Sequence, residues 1–431
     1  MKQNMNHKAS ESMELELFAP GEEGGISLED VFTAYFDCRR RKRGSYNALA
    51  FEYDYERKCV DLWKAINAGT YRPLRSIVFI VTHPVLREVF APSFESRVVD
   101  HIIANKIEPL LEQQFIDDNY ATRKGKGTLY GINRVSDFIK ECSDDYKSDC
   151  YILKLDIKSY FMSLNKQQLY DNMSAFVKTH YHESDLPSLL FMLQAIIFDR
   201  PETHCVRRCP KNKWEKLPPD KSLFNSDGKH GMPIGRLTSQ LCAAYTLDTL
   251  DHKIKEEWGI KYYGRYVDDM MIFGNNPKEL IGLKNEINLF LIQNLHLSLH
   301  PNKTILQRVN QGANFLGAII FPHHTYPRER QIKSLRVKVN FFNKLLDPTN
   351  IVLKDIPTGG VWEKYMSRGK CVLSVEAIKR KILSTINSYY GLFIHSKSYT
   401  LRKKLFFSMG RVGDNIIPSN MNFTKFCCFK K

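Results

Sequence analysis

No stretch of this chain reaches the roughly 18 uninterrupted apolar residues of a membrane-spanning helix, and the opening Met1-Lys-Gln-Asn-Met-Asn-His-Lys-Ala-Ser contains no apolar signal core. These absences predict a cytoplasmic protein with no membrane partner. The ten cysteines are scattered, which excludes a disulfide scaffold. Cys205 and Cys209 have tolerable zinc spacing and Cys427-Cys428 lie near the end, yet neither pair has a second pair to complete a tetrahedral site. Reduced thiols are the simpler expectation. Internal repeats and low-complexity tracts are missing, and so is the ordered Gly and Lys-Ser/Thr pattern of a P-loop. Acids are in short supply, with 47 against 63 Lys and Arg, so the formal charge is +16 over 431 residues. Such an excess gathers polyanions and points to nucleic acid ahead of an acidic small molecule. With 43% hydrophobic residues, the chain is long enough for two or three folded domains.

The carboxylates that are present fall in a telling pattern. Tyr262 to Gly274 reads Tyr-Tyr-Gly-Arg-Tyr-Val-Asp-Asp-Met-Met-Ile-Phe-Gly, two apolar segments around the adjacent acids Asp268 and Asp269. This predicts a β-hairpin whose tight turn carries the acids. A third acid, Asp156, ends the strand-like run Tyr151-Ile-Leu-Lys-Leu. Three such carboxylates suit a pair of magnesium ions about 4 Å apart, which activate an attacking hydroxyl and stabilise a leaving oxygen in phosphoryl transfer. Manganese is the alternative ion. On this reading Asp156 and Asp268 bridge the metals and Asp269 supports them; the bland reading is an acidic turn beside an unrelated strand-end acid.

Basic and glycine-rich segments surround this pattern. Arg39 to Arg43 form a basic run after a predicted helix over 28–36, and a second helical pattern covers 51–68. A strand is expected over 77–81, and a turn at His83-Pro84 leads into another strand bearing Arg87, placed to grip a triphosphate. A helix is expected over 94–110, where Arg97 either braces the domain or touches nucleic acid. Arg123-Lys124-Gly125-Lys126-Gly127-Thr128 is a compact basic loop suited to a template or primer backbone. Phe161, soon after Asp156, either packs in the core or limits space beside the sugar of an incoming nucleotide. The Gly231-to-Gln240 segment, including Gly235, is expected to shape the substrate pocket before a helix running from Leu241 toward Ile254. Lys303 is either a solvated lysine or a phosphate contact and proton donor, and residues 315–321 read as a strand. Helices follow near 328–338, 374–391 and 398–408, with Gly359-Gly360 in a preceding loop.

Taken in order, these residues resemble a reverse transcriptase over residues 31–402. The resemblance implies an α+β right-hand polymerase fold with fingers, a palm on an antiparallel sheet and a helical thumb. It assigns residues 1–25 to a flexible lead, 26–150 to fingers and 151–321 to the palm, including a connecting segment at 199–230, with 322–431 forming the thumb and C-terminal extension. Asp156-Ile-Lys-Ser-Tyr-Phe161 and Tyr266-Val-Asp-Asp269 match the catalytic motifs. Phe161 then takes the sugar-discriminating position, Gly235 and Gln240 shape the nucleotide pocket, and Phe315-Leu316-Gly317 grips the primer. Tyr71-Arg72-Pro73, Arg97-Val98-Val99 and Leu237-Thr238-Ser239-Gln240 are similar to the bacterial group II intron-like branch, especially the enzymes of diversity-generating retroelements. There, Ile234-Gly235 stands where other reverse transcriptases have Gln-Gly, which implies error-prone copying of adenines. Leu86-Arg87 departs from the usual Lys-Pro-Arg, and Met232 replaces Leu. The implied partners are a template RNA, its DNA product, deoxynucleoside triphosphates and a small basic accessory protein. An antiphage-defence enzyme working with a structured noncoding RNA, as an oligomer, is the neighbouring alternative. An inactive RNA-binding protein on the same fold is a third reading. No maturase or nuclease appendage is recognisable, so intron splicing is not expected.

Overall fold

The computed structural model describes residues 25–40, 45–82, 85–346, 366–367, 370–371 and 375–429. The polar lead before residue 25, Arg41 to Arg43, His83-Pro84 and Gly359-Gly360 lie outside the described residues. The architecture is α+β. Strand β1 (Ile77–Val81) pairs antiparallel with β2 (Arg87–Ala91) and parallel with β4 (Val206–Arg207). The central sheet has the order β5-β6-β3-β7, built from β5 (Tyr263–Tyr266), β6 (Asp269–Gly274), β3 (Tyr151–Leu155) and β7 (Ile305–Arg308), all antiparallel.

Side chains alternate across a strand, so this sheet presents two apolar faces. Leu153, Leu155, Met270 and Ile272 join the main core. Ile152, Met271 and Phe273 face a second core with Val135, Phe138 and Ile139 from helix Thr128–Cys142. That two-sided burial explains why Met270-Met-Ile-Phe273 is continuously apolar. A third core, with Val339, Phe342, Ile386 and Tyr390 among its members, joins helices Glu329–Leu345, Val375–Phe393 and Tyr399–Phe407.

Several elements differ from the sequence expectation. The 51–68 pattern is two helices, Tyr46–Glu52 and Tyr55–Asn67. The helix expected from Leu241 toward Ile254 begins earlier, at Leu237, is interrupted at Leu247, and resumes as Asp248–His252 and a π-helical turn over Lys253–Glu257. Its Ala243 and Ala244 carbonyls accept hydrogen bonds from the Tyr160 hydroxyl and the Arg265 guanidinium, which draws them away from the helical ladder. Residues 315–321 are not one strand: β8 (Ala313–Phe315) turns through Leu316-Gly317 into β9 (Ala318–Ile320), and β10 (Thr325–Pro327) follows. The left-handed backbone at Leu316 (φ 45°) and Gly317 (φ 91°) makes that turn. After the last helices, Ile416–Pro418 pairs with Phe426–Phe429, so Cys427 and Cys428 lie in a strand.

Candidate active site

The acids of the hairpin sit where the pattern predicts a tight turn. Tyr266 pairs with Asp269, leaving Val267-Asp268 as a two-residue connection. Val267 has φ 56°, a conformation that costs a β-branched residue roughly 1–3 kcal/mol. Beneath it, Arg265 is fully buried and donates to the Val267 carbonyl at 2.8 Å. The same guanidinium grips Asp251, also fully buried, at 2.5 Å, and the Tyr263 hydroxyl donates to that carboxylate. A buried ion pair with every oxygen engaged thus holds the strained turn from below.

Asp156 follows β3 directly, and its carbonyl accepts from His300 N–H at 2.7 Å. This contact brings Lys303, three residues on, to 2.5 Å from the Asp156 carboxylate. Asp269 pairs with Lys154 at 3.2 Å. Burial, together with the charges of Asp269 and Asp156, pushes the Asp268 carboxyl up to about 6, while Arg87 pulls it down. Asp269 and Asp156 therefore both bear on Asp268, and each of the three acids has a different cation acting on it: Lys303 on Asp156, Arg87 on Asp268 and Lys154 on Asp269.

Among the described residues no group of three His, Cys, Asp or Glu side chains is arranged as a ready metal cage. The donor chemistry nevertheless fits magnesium or manganese. Hard carboxylate oxygens crowd like charges around Asp268, and a divalent cation would relieve that repulsion. The ammonium groups of Lys303 and Lys154 take up part of this charge on Asp156 and Asp269.

Other residues singled out in the sequence are distributed as follows. Arg87 is the exposed first residue of β2, with its charge acting on Asp268. Gly235 has φ 123°, and a Cβ there would lie 2.4 Å from the Phe90 carbonyl oxygen, so only glycine fits the close approach of this loop to β2. The preceding Ile234 carbonyl accepts from Phe90 N–H at 2.8 Å, which ties the loop to the strand carrying Arg87. Gln240 is exposed on helix Leu237–Thr246. Phe161 is half-buried, its ring 5.8 Å from that of Tyr160, and its carbonyl accepts from Met232 N–H.

The basic loop is divided in its loyalties. Arg123, only 3% exposed in its side chain, is held by Glu112 at 2.7 Å and by the Ile116 and Asn119 carbonyls. Lys126 donates to the Asp117 carbonyl at 2.6 Å, leaving Lys124 as the exposed cation of the three. Phe315 is fully buried against Tyr120, and Leu316 packs beside it near Gly131. What this hairpin offers a ligand is therefore main chain rather than the Phe315 ring. Arg97 donates to the Pro92 carbonyl. Sequence reasoning passed over Arg265, Lys154 and Arg236, the last fully enclosed with Asp100 and Asp199. A charged residue inside an apolar strand, as in Tyr263-Gly-Arg265-Tyr266, was the available signal.

A family model described as reverse transcriptase (RNA-dependent DNA polymerase) matches residues 86–320. The chain is 24% identical over 387 residues to the group II intron-encoded protein LtrA of Lactococcus lactis subsp. cremoris, covering 78% of this chain and 64% of that protein. It is 22% identical over 287 residues to protein YkfC of Escherichia coli K12, covering 58% and 68% respectively. Among solved structures it is similar to apo telomerase from Candida tropicalis, at TM-score 0.41 and 12% identity, covering 82% of this chain and 63% of that one. No helix among the described residues is long and apolar enough to cross a membrane. The matched segment contains all three acids, and the chain belongs to the reverse transcriptase (RNA-dependent DNA polymerase) family.

Proposed function

We propose that this protein copies an associated RNA into DNA in a bacterial cytoplasm, with low fidelity, as the polymerase of a diversity-generating retroelement. The observation that carries the polymerase reading is the placement of Asp156 at the end of β3 beside the Asp268-Asp269 turn that opens its partner strand β6, close enough for the charges of Asp269 and Asp156 to raise the Asp268 carboxyl. Asp156 and Asp268 would hold the divalent cations, with Asp269 in support. When bound, magnesium supplies charge stabilisation to the attacking and departing oxygens.

The chain's own residues orient the reactants. The primer hydroxyl oxygen attacks the α-phosphorus of a deoxynucleoside triphosphate, its proton passes to solvent, and the bond to pyrophosphate breaks. Arg87 holds the triphosphate, and Lys303 contacts the departing phosphates and supplies their proton. Phe161 limits space beside the sugar, while the loop through Gly235 and the exposed Gln240 shape the templating pocket. Exposed Lys124 meets a nucleic-acid backbone, and the main chain at Leu316-Gly317 steadies the primer. The branch assignment rests on Tyr71-Arg72-Pro73, Arg97-Val98-Val99, Arg123 to Thr128 and Leu237-Thr238-Ser239-Gln240, and low fidelity on the Ile234-Gly235 departure; the branch is compatible with the likeness to a group II intron-encoded protein. A small basic accessory protein is the expected partner.

Sequencing the RNA and DNA bound to the protein from its native cell, beside an Asp268→Asn control, tests this reading. DNA copied from a nearby repeat, with changes concentrated at template adenines, is the expected result. DNA from a structured noncoding RNA during phage infection would assign the enzyme to defence. Bound RNA without Asp268-dependent DNA would replace the polymerase with an RNA-binding protein.

A further inference from the structure

Lys154 belongs to none of the motifs that define the catalytic acids, yet it lies between two of the parts they need. It sits on β3 two residues before Asp156, and strand alternation puts both side chains on one face of the sheet. Its partners in register are Met271 on β6 and Ile305 on β7. Asp269 is two residues from Met271 on the same strand, a diagonal neighbour within reach of a long side chain. The Lys154 ammonium uses that reach, lying 3.2 Å from the Asp269 carboxylate and donating to the Asn314 carbonyl of β8 at 3.3 Å.

The alternative is a lysine that merely solvates the sheet edge. Burial argues against it, because the Lys154 side chain is only 20% exposed. A mostly covered ammonium needs its partners, and losing one leaves charge in a poorly solvated place. The rest of the hairpin is attached differently. Phe315 and Leu316 pack toward Gly131 and Tyr120, and Gln307 donates to the Gly312 carbonyl. Among the described residues, Lys154 is the side chain that bonds both this hairpin and an acid of the catalytic turn.

We propose that Lys154 is a positioning residue that fixes the β8–β9 hairpin at one spacing from Asp269, so that the primer end and the catalytic turn are held in register. The functional half of this statement rests on the polymerase reading above. The mechanical half stands on the two contacts. The effect on reaction follows from proximity, since a misplacement of about 1 Å can cost roughly 10²-fold in rate.

Hydrogen exchange on the protein without metal or nucleic acid tests the coupling directly. Lys154→Met and Asp269→Asn should each speed exchange of the amides at 313–320 by about threefold or more, and the Asp269→Asn effect should vanish in the Lys154→Met background. Lys154→Arg, which retains a cation, should restore slow exchange. In primer extension on RNA, Lys154→Met should lower kcat by about tenfold or more with a smaller change in KM for the primed template, and Lys154→Arg should recover most of that loss. Unchanged exchange at 313–320 in both single variants, or an Asp269→Asn effect that persists without Lys154, would overturn the proposal. Exchange needs no turnover. A wild-type protein that fails to extend primers would therefore count against the polymerase reading, while the exchange result alone decides the link.

Discussion

The Lys303 ammonium lies 2.5 Å from an Asp156 carboxylate oxygen, bridging the loop before β7 to the end of β3. This ion pair occupies one of the carboxylates proposed to hold the divalent cations. Half of the Lys303 side chain is exposed, so the pair contributes well under ~1 kcal/mol. Lys303→Met should therefore leave the unfolding temperature without metal nearly unchanged. It should enlarge the rise that magnesium produces, because no ammonium then competes for Asp156. Thermal unfolding with and without magnesium checks this; a smaller rise than in the wild type would contradict it.

Arg265→Met should be severe. It strands Asp251 as an unpaired buried charge and removes the donor to the Val267 carbonyl. Breaking such a pair costs about 3–5 kcal/mol. Urea denaturation should show that loss, and Asp251→Asn added to Arg265→Met should return part of it. A change below ~1 kcal/mol would mean that the hairpin stands without this support.

Asp248 gives the fold a pH dependence. Burial, with a further contribution from Asp251, pushes its carboxyl up to about 6 from an ordinary 3.8, against the hydrogen bond from Gln114. The folded chain holds this proton more tightly than the unfolded chain, so stability falls as pH rises from 3.8 to about 6 and the contribution is level above that. Because the raised Asp268 carboxyl contributes a fall of the same sign over the same interval, Asp248→Asn should make the fall shallower without abolishing it and stabilise the protein at pH 7 by at most ~3 kcal/mol. Denaturation midpoints across the range would show it. A wild-type midpoint that climbs over the same interval, with the climb removed by Asp248→Asn, would contradict the sign.

Phe161→Ala should increase ribonucleotide use, lowering the preference for deoxyribonucleotides by about tenfold or more. The measurement is the ratio of kcat/KM for matched deoxy and ribo substrates. Unchanged discrimination would make Phe161 a packing residue, in keeping with its half-buried ring against Tyr160.

The central sheet was legible because its strands carry strong local signals: an apolar run ending in Asp156 and two apolar segments around Asp268-Asp269. The hairpin at Leu316-Gly317 was hidden from strand reasoning because Phe315 and Ile319 continue the apolar pattern across a turn. The helical run toward Ile254 was legible, but its interruption at Leu247 was hidden, since the carbonyls just before it are engaged by Tyr160 and Arg265, distant in the chain. Charge was the least readable property. Arg123, Lys126 and Lys124 look alike in sequence, but Glu112 and Asp117 draw the first two inward and leave Lys124 exposed. Lys154 and Arg265 show the same limit, because a cation's partner is set by tertiary packing rather than by its neighbours in sequence.

The most direct test of the account is primer extension on an RNA template by purified wild-type and Asp268→Asn proteins, with deoxynucleoside triphosphates and magnesium. Thermal unfolding and RNA binding serve as controls for the fold. The account predicts template-dependent DNA from the wild type and a loss of about 10³-fold or more in the variant, with folding and RNA affinity retained. Equal extension by the folded variant, once contaminating polymerase is excluded, would contradict the assignment of Asp268 and the chemistry built around it.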